Sequence, residues 1–169
     1  MEKVVHILNE LEKEGLITGY ALGGAVAFLF YAEPVLTYDL DVFVFLPPSS
    51  EKLMTLSPIY EFLKKKGYAA RQEHILIEGI PVQLIPAYNT LIEEAVKKAR
   101  AAKYKKVLTK VIRPEHLLAI ALQTGRLKDQ ERVVQLIKQT RIDGNLLTGI
   151  LKKHNLTAKW NEVKKKAKI

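Results

Sequence analysis

Between residues 3 and 15, Val4, Ile7, Leu8 and Leu11 recur at helical spacing among Glu and Lys, so the chain opens with an amphipathic helix that Gly15 closes. Tyr20-Ala21-Leu22 is a short apolar run that reads as a strand leading into Gly23-Gly24. Ala25 to Tyr31 contains no polar residue, which predicts a buried helix ending before Pro34. Leu40-Asp41-Val42-Phe43-Val44-Phe45-Leu46 is rich in β-formers and stops at Pro47-Pro48, the mark of an interior strand. Ser49 or Ser50 is the expected cap of a helix running to about Lys66, with Gly67 as its stop.

Tyr68 to Pro86 reads as two strands, near His74 to Glu78 and Ile80 to Ile85, joined tightly at Glu78-Gly79. The pattern predicts a helix over 90–102 and a strand over 106–112. Pro114 then opens an apolar helical stretch that ends at Gly125, followed by helices near 128–140, 143–154 and 158–167 with Asp143 and Thr157 as caps. Helices and strands mix before residue 112 and only helices follow. The expected architecture is α/β (α+β), a mixed sheet flanked by helices over 1–112, with a helical C-terminal subdomain and basic tail over 113–169.

A chain of 169 residues with 48% hydrophobic residues is expected to remove about two thirds of its unfolded surface from water, so it needs neither disulfide nor structural metal. The absence of cysteine excludes disulfide scaffolds, zinc-thiolate centres and thiol catalysis. Met1 to His6 lacks the basic-then-apolar order of a signal peptide, and no apolar run approaches the roughly 20 residues of a membrane span. A soluble cytoplasmic protein is the expectation. With 27 Lys and Arg against 18 Asp and Glu, the net charge of +9 favours anionic partners such as nucleotides, RNA or DNA. Many lysines fall between Lys97 and Lys106 and between Lys152 and Lys168; solvated helix faces are the simplest account of both clusters.

The chemistry concentrates between Leu22 and Asp41. Two glycines between a strand and a helix let the backbone approach a ligand closely, and the free amides at the helix start suit phosphate. Asp39 and Asp41, two apart on an extended chain, project from one face while Leu40 and Val42 point into the core. Such a carboxylate pair suits Mg²⁺, which commonly takes one or two carboxylates plus substrate phosphates. Placing two like charges at the start of an apolar strand is costly without a cation.

Gly23-Gly24, a helix, then Asp39-Leu40-Asp41 on a strand resembles the glycine-then-Asp-x-Asp signature of the nucleotidyltransferase superfamily. It is similar in particular to the small AbiEii-type, minimal members. Pro114-Glu115-His116-Leu117-Leu118-Ala119 through Gly125-Arg126-Leu127-Lys128-Asp129 resembles a passage that those proteins carry after the sheet. The resemblance covers roughly residues 15 to 140. It implies transfer of a nucleoside monophosphate from an NTP to an acceptor, RNA (tRNA included) or protein, with Mg²⁺ or Mn²⁺; a cognate protein partner in a toxin–antitoxin pair also belongs to it. Gly23, Gly24 and Lys128 would contact phosphate, Asp39 and Asp41 would hold metal and serve catalysis, and Arg126 and Asp129 would support the pocket.

Two positions depart from that pattern. The third carboxylate's place, in Gly79-Ile80-Pro81-Val82-Gln83, is Gln83, and an amide cannot act as a general base. Ala121 stands where relatives often carry lysine. Glu73, His74 and Glu78 lie near enough in sequence to substitute, although a surface role is the simpler reading of all three. Two other readings stay open: a catalytically degenerate nucleotide-binding regulator, and a basic module that binds nucleic acid or a protein partner. His6, His74, His116 and His154 show no metal-ligand spacing, and His116 is expected on a helix surface.

Overall fold

The computed structural model describes residues 1–32, 39–48 and 55–167, apart from the side chains of Leu127, Lys128 and Gln130. Its strands are β1 (Gly19–Leu22), β2 (Leu40–Phe45), β3 (Ala69–Arg71), β4 (His74–Ile77), β5 (Ile80–Pro86), β6 (Arg100–Tyr104) and β7 (Val107–Val111). Its helices are α1 (Glu2–Lys13), α2 (Gly24–Phe28), α3 (Ser57–Lys65), α4 (Thr90–Lys97), α5 (Pro114–Thr124), α6 (Leu127–Gln139), α7 (Gly144–Lys153) and α8 (Thr157–Ala167). The strands form one mixed sheet in the order β3-β4-β5-β2-β1-β7-β6. At its centre β2 runs antiparallel to β1 and parallel to β5, while β1 runs parallel to β7.

The inner strands lie where their composition puts them. All four residues of β1 are buried, and Leu40, Val42 and Val44 of β2 are buried on the face away from Asp41. Strands covered on both faces have no reason to alternate polar with apolar residues, which is why both read as nearly continuous hydrophobic runs. The apolar stripe of α1 is buried as its spacing requires, and this helix packs on β1 and β7.

The edges of the sheet differ from the sequence expectation. The stretch expected as one helix over 90–102 is α4 ending at Lys97 and then β6, a strand of Arg, Ala, Lys and Tyr with no buried residue. An edge strand with one neighbour and two wet faces carries no hydrophobic signature, and charged side chains protect its open hydrogen-bonding groups. The three exposed residues of β3 carry no hydrophobic signature for the same reason. The tight connection at Glu78-Gly79 is present, with φ of 50° and 76°, the pair of positive values that a type I′ hairpin needs. Helix α3 begins at Ser57, and the caps expected at Ser49 or Ser50 lie outside the described residues. Asp143 caps α7 through the amides of Asn145 and Leu146, whereas Thr157 is the first residue of α8 rather than its cap.

The helical part is tied to the sheet layer through Glu94, only 8% exposed on α4. Its carboxylate accepts hydrogen bonds from Lys98 Nζ at 2.8 Å and Lys153 Nζ at 2.6 Å, and lies 3.1 Å from His154 Nε2. His116 Nε2 stands 3.7 Å from it. His116 is completely buried on α5, not on a helix surface as expected, and neither ring nitrogen has a hydrogen-bond partner among the described residues. Glu115 beside it is also buried and accepts the backbone amide of Asp143 at 2.9 Å, which fixes the start of α7 against α5. These contacts set α5 over the sheet and so define one wall of the cleft described next.

Candidate functional site

A cleft of about 390 Å³ opens between the sheet and helices α5 and α6. Gly24, Asp41, Gln83, Ala121, Arg126 and Asp129 all line it. Six positions singled out from sequence, spread over more than a hundred residues, therefore meet at one place. The register explains the acidic side: Asp41 on β2 pairs directly with Gln83 on β5, so their side chains emerge together from one face of the sheet. Phe43 and Ile85, two residues further along each strand, continue that face along the cleft floor.

The glycine corner is shaped around Asp41. Gly24 has φ of 53°, and a Cβ built on it would overlap Asp41 Oδ2 and stand 2.7 and 2.9 Å from Cγ and Cβ. Gly23 donates its amide to the Asp41 carbonyl at 2.9 Å and would meet the Phe43 ring if it carried a side chain. The double glycine thus lets the β1–α2 turn close onto β2 and press against the carboxylate. Helix α2 spans only five residues, so the corner is defined more by this close approach than by a long helix end.

Asp39 and Gly23 are not among the residues that line the cleft; the Asp39 side chain is 45% exposed, with Oδ2 3.8 Å from His74 Nε2. Of the three substitutes considered for a third carboxylate, His74 therefore does neighbour the acidic pair, whereas Glu73 and Glu78 are exposed in the turns flanking β4. Lys128 belongs to α6, and its side chain lies outside the described residues.

A cationic wall faces the acidic one. Asp129, 3% exposed, accepts Arg126 Nε at 2.7 Å, Arg126 Nη2 at 3.3 Å and the Thr124 hydroxyl at 2.8 Å. Arg132 Nη1 lies 3.6 Å away on its other side. Burial pushes the Asp129 carboxyl up, but the hydrogen bonds from Arg126 and Thr124 and the two guanidinium charges outweigh it and leave it below the ordinary carboxylate value. Arg126 is held protonated more firmly than usual, first by its bond to Asp129 and then by the negative charges of Asp129, Asp41 and Asp39. Asp129 is thus a buried anchor that aims two guanidinium groups, and not a surface charge. Thr124 and Arg132 had no sequence signal of their own; only their spacing of five and three residues from Asp129, across the α5–α6 turn and along α6, could have suggested them.

One solved structure, an antigenic nucleotidyltransferase-like protein from Paracoccidioides brasiliensis, superposes with a TM-score of 0.55 and 15% identity over 98% of this chain and 90% of that one. The fold is nucleotidyltransferase-like. No protein-family model and no curated protein matches the chain. In this nucleotidyltransferase-like frame the cleft lies between the face of β2 and β5 and the helices that follow the sheet. No helix among the described residues is long and apolar enough to cross a membrane.

Toward a hard divalent cation the cleft lining offers one carboxylate, Asp41, with the Gln83 side chain beside it. Among the described residues no group of three or more His, Asp or Glu is arranged to hold a metal. Asp39 and Asp41 offer carboxylate oxygens, and Gln83 adds at most a weak carbonyl ligand. Mg²⁺ accepts such a partial set because phosphate oxygens and waters complete its octahedron.

Proposed function

We propose that the cleft binds a nucleoside triphosphate with one divalent cation and transfers the nucleoside monophosphate to an acceptor hydroxyl on RNA or protein, in the manner of the small AbiEii-type nucleotidyltransferases. One observation carries this reading: Asp41 emerges beside Gln83 against the Gly24 corner, in the same cleft as the Arg126–Asp129–Arg132 wall. Opposed anionic and cationic walls around a polar opening suit a ligand that is itself a polyanion carrying a metal.

Asp39 and Asp41 would hold the cation, Mg²⁺ or Mn²⁺, which when bound neutralises charge between the phosphates. Arg126 and Arg132 draw the triphosphate against α6, and Asp129 keeps Arg126 pointed there by a paired hydrogen bond. The amide of Gln83 can donate to a phosphate oxygen but cannot take the acceptor's proton. A loose transition state asks little of a base, so positioning and charge are the main requirements. Gln83 also favours a second reading, a nucleotide-binding regulator that has lost transfer.

The test uses α-labelled NTPs with Mg²⁺, following pyrophosphate release and label on RNA or protein. Asp41→Asn is expected to lower cation-dependent nucleotide binding and turnover at least a hundredfold. Gln83→Asp is expected to raise turnover, because it adds a carboxylate in register with Asp41. Transfer by Gln83→Asp alone, with binding intact in both proteins, would establish the regulator; absence of any Mg²⁺-dependent nucleotide binding would overturn both readings.

A further inference from the structure

The cleft has an end that the phosphate chemistry leaves unexplained. Tyr88 lines it and is 62% exposed, the one aromatic among the large apolar residues that the described structure leaves in solvent. Exposed side chains usually sit on loose loops, but the backbone around Tyr88 is pinned on both sides. Ala87 donates its amide to the Val44 carbonyl at 2.9 Å, which continues the β2–β5 pairing past the end of the strand. Asn89 accepts the Ile92 amide at 2.9 Å as the cap of α4 and donates Nδ2 to Gln123 Oε1 on α5 at 2.9 Å.

A rigid frame that presents a wet aromatic ring has little to gain in stability from it, because the ring removes little apolar surface from water. It gains much as a platform: the ordering cost is already met, and a π-face stacks any base. Tyr88 follows Gln83 by five residues, at most about 18 Å of extended chain. Ile85 lies between them on the cleft face, and Leu117 and Ile120 border the same space. Beside its charged groups the cleft therefore holds an apolar floor and a flat ring.

Resting on the nucleotide reading above, we infer that Tyr88 is the residue on which the nucleobase stacks, so that the site takes nucleotides in preference to bare polyphosphates and tolerates different bases. Stacking uses a face that every base has, and no hydrogen bond from another residue holds the Tyr88 hydroxyl among the described residues.

Binding of Mg-ATP and of Mg-tripolyphosphate is measured by calorimetry for the wild-type chain, Tyr88→Ala and Tyr88→Phe. Tyr88→Ala is expected to weaken Mg-ATP roughly five- to a hundredfold and to leave tripolyphosphate unchanged. Tyr88→Phe is expected to retain the wild-type affinity, and both variants to melt within about a degree of it, since the ring is exposed. Equal Mg-ATP affinity in wild type and Tyr88→Ala would overturn the stacking role and leave the nucleotide site standing. Equal losses for both ligands would overturn it too, because the ring would then be shaping the phosphate end. Failure of the wild-type chain to bind Mg-ATP would overturn the nucleotide reading and this role with it.

Discussion

Alanine at Gly24 is expected to leave a folded protein that has lost most of its cation-dependent nucleotide binding. Two costs combine at this position. The left-handed backbone, φ 53°, costs an L-residue about 1 to 2 kcal/mol. The added methyl would also overlap the Asp41 carboxylate and stand only 2.9 Å from Asp41 Cβ, so rotation about χ1 does not relieve the contact. The β1–α2 turn must lift away from β2, or Asp41 must leave its place beside Gln83. Either movement separates the acidic wall from the arginines opposite. The expected result is a melting temperature a few degrees lower, an unchanged far-UV circular dichroism spectrum, and NTP affinity reduced at least tenfold in calorimetry with Mg²⁺. Wild-type affinity in Gly24→Ala would show that the close approach of the corner to Asp41 has no part in binding.

Replacing Glu94 by Gln is expected to destabilise the protein clearly, although Glu94 lies outside the cleft. Hydrogen bonds from Lys153 and Lys98 first, and from His154 after burial has opposed them, hold its carboxyl well below the ordinary value of 4.5. Burial holds His116 below 6.5 despite the nearby Glu94 charge. For both groups the unfolded chain binds the proton more readily, so stability rises with pH. It is expected to be full above about 6.5, to decline below that as the His116 of the unfolded chain takes a proton that the folded one refuses, and to fall faster below 4.5 as the unfolded chain's Glu94 is protonated while the folded one stays ionised. Glu94→Gln keeps one acceptor and loses the charge, a change of about 2 kcal/mol. That corresponds to a melting temperature about 4 to 8 °C lower at pH 7, with a shallower dependence below pH 5. Thermal melts from pH 3 to 8 check both statements, and identical curves for wild type and variant would refute them.

The two residues illustrate different degrees of legibility. Gly24 and Asp41 could be singled out from the sequence because backbone period and residue chemistry are local properties: a carboxylate two positions from another on a strand shares its face whatever the rest of the chain does. Gln83 stood out only through the resemblance to the nucleotidyltransferase superfamily, as the place of a third carboxylate. The cationic wall was only half visible. Arg126 and Asp129 stand in a recognisable string, but burial turns Asp129 from a surface charge into an anchor, and burial depends on what packs over it. Glu94 gave no hint, because on paper it is one more acid on an amphipathic helix. Its partners Lys153 and His154 arrive from about sixty residues away. The burial of His116 has the same origin, since polar residues at the start of an apolar helix do not reveal which side the next helix will cover.

By itself the sequence determined the inner strands, most helices, the hairpin at Glu78-Gly79 and the identity of the acidic and glycine positions, because hydrophobic period and turn chemistry act over a few neighbouring residues. The tertiary structure alone decided that β3 and β6 are strands, that Asp41 stands beside Gln83, that Asp129 aims two arginines across a cleft, and that Tyr88 is held rigid in solvent. Those facts depend on pairing register and on which surfaces cover one another, and both are set by contacts between segments distant in the chain.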